Sequence, residues 1–209
     1  INFALHFRAL TGKPLDMLRD TEFRFYAGIT MVFTILVMLS VYGANYSGIG
    51  EAFRYSIFQV VAISTTTGFA TADFEIWPFL PQALFLFLMF MGGSAGSTSG
   101  GMKCMRIMLL LKQSYHELYR LVHPRSVKHM KMGGKTVPQE VMSGVWGYFI
   151  LYLFLFVLTG FALAAMGVDV LTGFTAVASA LSNIGPGLGD IGPSENWNSL
   201  PTMGKWILM

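Results

Sequence analysis

The sequence has little charge and almost no cysteine. Charged residues make up 12% of its 209 positions, about half the share of an ordinary soluble domain, roughly 25%. A single cysteine, Cys104, excludes an internal disulfide. No Asp, Glu, Lys or Arg occurs in Phe25–Gly50, Ile76–Met102 or Val141–Val168. Each of these runs exceeds the roughly 20 residues that cross a bilayer. The chain therefore reads as an integral membrane protein rather than a soluble domain with one buried helix. No secretory signal is visible and the first residue is Ile1, so a piece of a longer protein is expected.

Three function classes lose support from further absences. Gly96 to Gly101 has the glycine spacing of a phosphate loop, but Met102 stands at the lysine position and Lys103 comes one residue late. No strand precedes it, so nucleotide binding there is not expected. The four histidines (His6, His116, His123, His129) all lie in segments expected to be cytoplasmic. A membrane serine hydrolase would lack a base beside its nucleophile; the chain is not expected to be an enzyme. The lack of ionisable residues within the spans argues against proton coupling. A secondary transporter of another small solute or ion, built on broken helices, stays open as an alternative.

The charges that are present set an orientation. Lys112, Arg120, Arg125, Lys128, Lys131 and Lys135 face only Glu117, and Arg8, Lys13, Arg19 and Arg24 precede the first span. Both segments should be cytoplasmic by the positive-inside rule. Glu51, Asp73, Glu75, Asp169, Asp190 and Glu195 then fall on the opposite side, where acids near a pore mouth would concentrate cations. Avoidance of Lys and Arg in translocated loops accounts for part of the same pattern.

Two polar turns organise the chain. Thr65-Thr66-Thr67-Gly68-Phe69-Ala70-Thr71 follows a short apolar helix of about Glu51–Ser64, which Ser47 or Gly50 could cap. Ser182-Asn183-Ile184-Gly185-Pro186-Gly187-Leu188-Gly189 follows a second short helix, Val170–Leu181, with Asp169 at its start. Helices this short fit re-entrant segments, and at membrane depth such turns must be buried in protein or line a wet cavity. Glu51 and Asp169, Gly68 and Gly185, and Trp77 and Trp197 recur at offsets of 118, 117 and 120. The repeat reads as span, short helix, turn, span, in one orientation. Backbone carbonyls in such turns can replace the hydration of a cation, and glycine permits the necessary angles. Close packing of helices on glycine is the other reading.

Between the turns, Gly92-Gly93-Ser94-Ala95-Gly96-Ser97-Thr98-Ser99-Gly100-Gly101 should break the second span. Its small side chains offer little burial, so a mobile loop is expected; a fixed packing element is the alternative. Lys103 reads as a lysine reaching for the inner interface with Arg106, more than as a charge that repels cations or binds the loop. Val127–Val137 alternates about Gly133-Gly134, a hairpin signal, and the basic stretch Arg125–Lys135 could dock a cytosolic subunit. The expected segments are a cytoplasmic lead-in at 1–24, a first repeat at 25–112, a basic loop at 113–140, and a second repeat at 141–209 that stops early in its last span.

The strings STTTGFAT, MFMGGSAGSTSGGMK and SNIGPGLG resemble the superfamily of potassium transporters and channels that includes bacterial TrkH and KtrB and plant HKT proteins, and TrkH in particular. The resemblance runs across the whole chain. It implies an all-α integral membrane fold of membrane-helix, pore-loop, membrane-helix repeats around a central ion pore, here the third repeat and most of the fourth; the alternation about Gly133-Gly134 adds the expectation of a small cytoplasmic β-hairpin. It implies filter carbonyls at Thr66, Thr67, Gly68 and Phe69 and at Asn183, Ile184, Gly185 and Pro186. Gly92, Gly93, Ser94, Gly96, Ser97, Thr98, Ser99, Gly100 and Gly101 would form an intramembrane gate loop, with Lys103 beside it. Both turns depart from the TVGYG string of potassium channels. The implied function is potassium uptake across a bacterial inner membrane by a multi-pass protein. The implied partners are membrane lipid, a second copy in a homodimer, and a cytosolic nucleotide-binding regulatory subunit of the TrkA kind. K+ is cargo; no cofactor in this chain and no nucleic acid are expected.

Overall fold

A computed structural model describes residues 1–123 and 130–209. Short helices α1 (Phe3–Leu10) and α2 (Leu15–Arg19) lead into the long α3 (Thr21–Val41). Asp20 starts α3: its Oδ1 accepts the Phe23 N–H at 2.8 Å, satisfying a donor that the first helical turn leaves free. After α3 come α4 (Ile49–Ser64), α5 (Phe79–Met91) and α6 (Cys104–Val122). Two-residue strands β1 (Lys131–Met132) and β2 (Lys135–Thr136) pair antiparallel, with Lys131 opposite Thr136. Then follow α7 (Gln139–Ala165), α8 (Val170–Ser182) and α9 (Thr202–Leu208). Arg125 and Lys128, with the first part of the expected hairpin, lie outside the described residues.

Length separates the helices into two kinds. α3 and α7 have 21 and 27 residues and are apolar enough to cross a membrane. α4 and α8 have 16 and 13 residues, roughly 24 and 20 Å at 1.5 Å per residue, short of a full bilayer core. α4 packs on α3 and α8 on α7, while α5 touches both short helices. The main core draws on all of these: Val37, Val60, Ile63, Phe85, Leu88, Ala178 and Ile184 are buried together. A second core joins α7, α8 and the segment before α9 through Leu163, Ala176, Val177, Ile191 and Leu200.

Three boundaries differ from the sequence reading. Neither Ser47 nor Gly50 caps α4; the cap is Gly48, which offers no side-chain acceptor. Glu51 sits in the first turn, whereas Asp169 is a true cap, its Oδ2 accepting from Leu171 and Thr172 N–H. The two acids therefore recur in sequence but not in role. The loop expected from residue 113 is still helix as far as Val122. Its charges sit on a helix surface, where Gln113 donates to Glu117 and Glu117 pairs with Arg120 at 3.3 Å.

Candidate functional site

The turns after α4 and α8 meet. Gly68, at φ +73°, lies so close to the second turn that a Cβ there would sit 1.9 Å from the Ile184 carbonyl oxygen. Only glycine allows that approach. Thr66 and Asn183 enter their turns with left-handed backbones, φ +56° and +53°.

Backbone hydrogen bonding in the turns is one-sided. Thr66 N–H donates to Ile63 O, and Thr67 and Gly68 N–H both donate to Ala62 O. In the second turn Asn183 donates to Ala180 O, Ile184 to Ser179 O, and Gly185 to the Ser179 hydroxyl at 3.0 Å. The donors thus fold back onto the helix ends. Among the described residues, no donor bonds the carbonyls of Thr66, Thr67, Gly68, Phe69, Asn183, Ile184 or Pro186. Gly185 differs from the other expected filter positions, because its carbonyl accepts the Trp197 indole N–H at 3.0 Å. Phe69 is 72% exposed and Ile184 buried, so the two turns do not present their side chains alike.

The Gly/Ser stretch lies against both turns. α5 ends at Met91, and Gly92 turns the chain with φ +64°. The loop closes on itself through Met102 N–H to Phe90 O and Cys104 N–H to Gly93 O. At its far end Gly100 N–H donates to the Thr66 hydroxyl oxygen at 2.9 Å. The Gly100 Cα abuts the Ser182 carbonyl, where a Cβ would lie at 1.8 Å. Ser97 and Ser99 hydroxyls bond each other at 2.8 Å, and Ser99 Oγ accepts from Gly93 N–H. Ser94 is buried, while Gly96 and Thr98 are exposed.

Two contacts here carry no local sequence signal. Glu22, 5% exposed, accepts the Ala95 N–H on Oε1 at 2.6 Å. Phe3 N–H donates to Gly96 O, tying the lead-in segment to the loop tip. Lys103 also departs from expectation. Its ammonium turns back onto the loop, donating to the carbonyls of Ser97 and Ser99, instead of reaching outward. Partly buried carbonyls gain from having donors, and the lysine supplies them to Ser97 and Ser99. The loop is therefore held by hydrogen bonds as well as by burial of Gly92, Gly93, Ser94 and Gly101.

Three of the acids expected on one side come together. Glu75, Asp190 and Glu195 line one cleft with Gly189 and Asn196. Burial raises the Glu75 carboxyl above its ordinary value, opposed by the Gly189 N–H and reinforced by the nearby acids. Asp169 is engaged instead as the α8 cap.

Comparison with known proteins bears on this geometry. A family profile described as "TrkH: Cation transport protein" matches residues 1–209. The chain belongs to the TrkH family. The "Trk system potassium uptake protein TrkH" of Vibrio parahaemolyticus is 42% identical over 212 residues, covering 100% of this chain and 43% of that protein. Its Escherichia coli K12 namesake is 40% identical over 210 residues, again 100% of this chain and 43% of the relative. The crystal structure of the potassium transporter TrkH from Vibrio parahaemolyticus superposes with a TM-score of 0.91 at 42% identity. It covers 100% of this chain and 45% of that one. The chain thus spans under half the length of these TrkH relatives. Membership in this family makes it a helical membrane protein.

Proposed function

We propose that this chain supplies two of the pore-lining repeats of a potassium uptake protein in a bacterial inner membrane. The relatives are named potassium uptake proteins, and the turns offer the matching chemistry. The observation that carries the reading is the one-sided bonding at Thr66–Phe69 and Asn183–Pro186: donors folded back, and carbonyl oxygens left without donors among the described residues at every one of these positions but Gly185, which accepts from Trp197. A ring of such oxygens replaces the hydration shell of K+ without burying a full charge. α4 and α8 end at these turns, so their negative dipole ends also favour a cation there. Both short helices act as re-entrant pore helices in this reading. The Gly92–Gly101 loop, seated against both turns, is the gate below them, and Lys103 fastens it. The cytosolic nucleotide-binding subunit of the TrkA kind and a homodimeric partner complete the assembly in the bilayer. The hairpin at Lys131–Thr136 is the docking element for that subunit.

Replacement of the turn glycines in the full-length protein tests the filter. Gly68→Ser meets the Ile184 carbonyl directly, whereas Gly185, at φ +117°, has open space around its Cβ position. Both serines are strained by positive φ, but only the first collides. Sodium flux relative to potassium in liposomes should rise in both, and more in Gly68→Ser. Unchanged selectivity in both variants removes the filter assignment.

A further inference from the structure

The two short helices end in the same way. The last residue of α4 is Ser64 and that of α8 is Ser182, and both are fully buried at 0% exposure. Each hydroxyl meets a tyrosine from the preceding long helix: Tyr26 of α3 at 3.0 Å and Tyr152 of α7 at 2.8 Å. The tyrosines are 6% and 5% exposed. A phenol hydroxyl in apolar surroundings is costly unless bonded, so each is committed to its serine. The pairs span 38 and 30 residues, so they do not follow from the sequence offset of the repeat. They arise because both halves place a span tyrosine at the base of the turn.

Proton bookkeeping fixes the direction of one of these bonds. A serine hydroxyl has one proton. Ser182 Oγ donates it to Met89 O at 2.6 Å, so Tyr152 is the donor to Ser182. Ser64 Oγ lies 3.3 Å from Val61 O, which already accepts from the Thr65 N–H and hydroxyl, so either hydroxyl can donate in the Tyr26–Ser64 pair. Directly after each serine the chain swings into its turn, reaching left-handed backbone at Thr66 and at Asn183. Such a conformation persists only where its surroundings hold it, and the tyrosine holds the helix end from which it departs.

We propose that Tyr26 and Tyr152 are positioning residues for ion selectivity. Each clamps the last residue of a short helix and so sets the carbonyl positions of the following turn. This rests on the reading of those turns as a filter. The clamps differ in one respect. Gly93 N–H, which would continue the α5 ladder to Met89 O, donates to Ser99 Oγ instead. The Ser182 hydroxyl takes its place, so Tyr152, Ser182 and Met89 form a continuous chain into the last turn of α5. The Tyr26 clamp stops within α4. Loss of the Tyr152 hydroxyl therefore disturbs flux as well as selectivity, and loss of the Tyr26 hydroxyl disturbs selectivity alone.

The test uses full-length protein in liposomes, with Tyr26→Phe, Tyr152→Phe and Gly68→Ser compared by potassium and sodium flux. Phenylalanine keeps the ring, including the Phe90–Tyr152 edge contact at 5.8 Å. Loss of one hydrogen bond should raise the sodium-to-potassium ratio roughly two- to tenfold in each phenylalanine variant, with total flux changed only in Tyr152→Phe. If the ratio moves in Gly68→Ser but in neither tyrosine variant, the positioning role is overturned and the filter stands. If it moves in none of the three, both are overturned. Should a phenylalanine variant fail to give monodisperse protein, Ser64→Ala and Ser182→Ala remove the same bonds from the other end and are judged by the same ratio.

Discussion

Glu22 lies at the start of α3, 73 residues from Ala95, yet its Oε1 takes the Ala95 N–H. Among the described residues the close ion pairs are Arg8–Asp16 and Glu117–Arg120, and Glu22 interacts at longer range with the Ile1 ammonium and with Lys103. A buried carboxylate is tolerable when backbone donors satisfy it, and charge-assisted bonds of this kind are about twice as strong as neutral ones. Glu22 is thus one of the fastenings of the Gly92–Gly101 loop, beside Lys103. Glu22→Ala leaves the Ala95 N–H without its acceptor, at a cost of ~1–3 kcal/mol to the seated loop. The expected outcome is higher potassium flux with an unchanged sodium-to-potassium ratio, measured in the full-length protein. Equal flux in the variant and its parent would show that the contact does not restrain a gate. In the sequence, Lys103 reads as a membrane-edge lysine, with binding of the loop as the less favoured alternative. Glu22 has no part in that reading. Bonds to backbone atoms in a loop far along the chain leave no trace in spacing or periodicity.

At the scale of elements, the broken span is the part that the sequence displayed most openly. Five glycines and four hydroxyls between Gly92 and Gly101 cannot continue α5, and the helix does stop at Met91. The short helices were equally plain, because Thr-Gly and Asn-Ile-Gly-Pro turns end apolar runs too short to cross a bilayer. What composition could not convey is how firmly the loop is tied: its hydroxyls bond one another and its carbonyls receive Lys103. The far end of α6 was also obscured. Charges from Lys112 onward resemble a loop when counted, but spaced as Gln113, Glu117 and Arg120 they lie on one helix surface. Removal of Ser94–Ser99 tests the loop. A Cβ on Gly92 would fall 2.2 Å from Gly100 O, so the cut ends already adjoin and α5 and α6 need not shift. The shortened protein should pass more potassium than its parent and keep its ion preference. Folded, membrane-inserted protein with equal or lower flux would identify the loop as a fixed spacer.

For the whole molecule, one end joins the hairpin to the long helices α6 and α7. Leu109 and Leu110 of α6 and Met142 and Val145 of α7 form a small core, against which Met130, Met132 and Val137 pack. Lys112 Nζ donates to Lys131 O at 3.3 Å across the same junction. A partner pulling on the hairpin would therefore act on α6, which continues directly from the loop. Lys131 is exposed, and Lys131→Glu should weaken retention of the cytosolic subunit in a detergent pull-down while leaving basal flux unaffected. Undiminished co-purification would remove the hairpin as the docking element. The Lys and Arg residues of this end carry the expectation that it is cytoplasmic. The packing of Met132 and Val137 onto two helices was not, because it depends on where α6 and α7 come together.

The close approaches of glycine also bear on how this protein can diverge. A Cβ on Gly68, Gly92 or Gly100 would strike a main-chain carbonyl: Ile184, Gly100 or Ser182. Every residue type carries that oxygen, so no second substitution can clear the space. Gly160 and Gly187 differ, because their obstacles are the Phe174 ring and the Ile191 side chain. A smaller residue at 174 or 191 would make room. Gly68, Gly92 and Gly100 are therefore fixed one at a time, while Gly160 and Gly187 are free to change in concert with a neighbour. Across descendants of this sequence the first group should remain invariant, and the second should drift as correlated pairs.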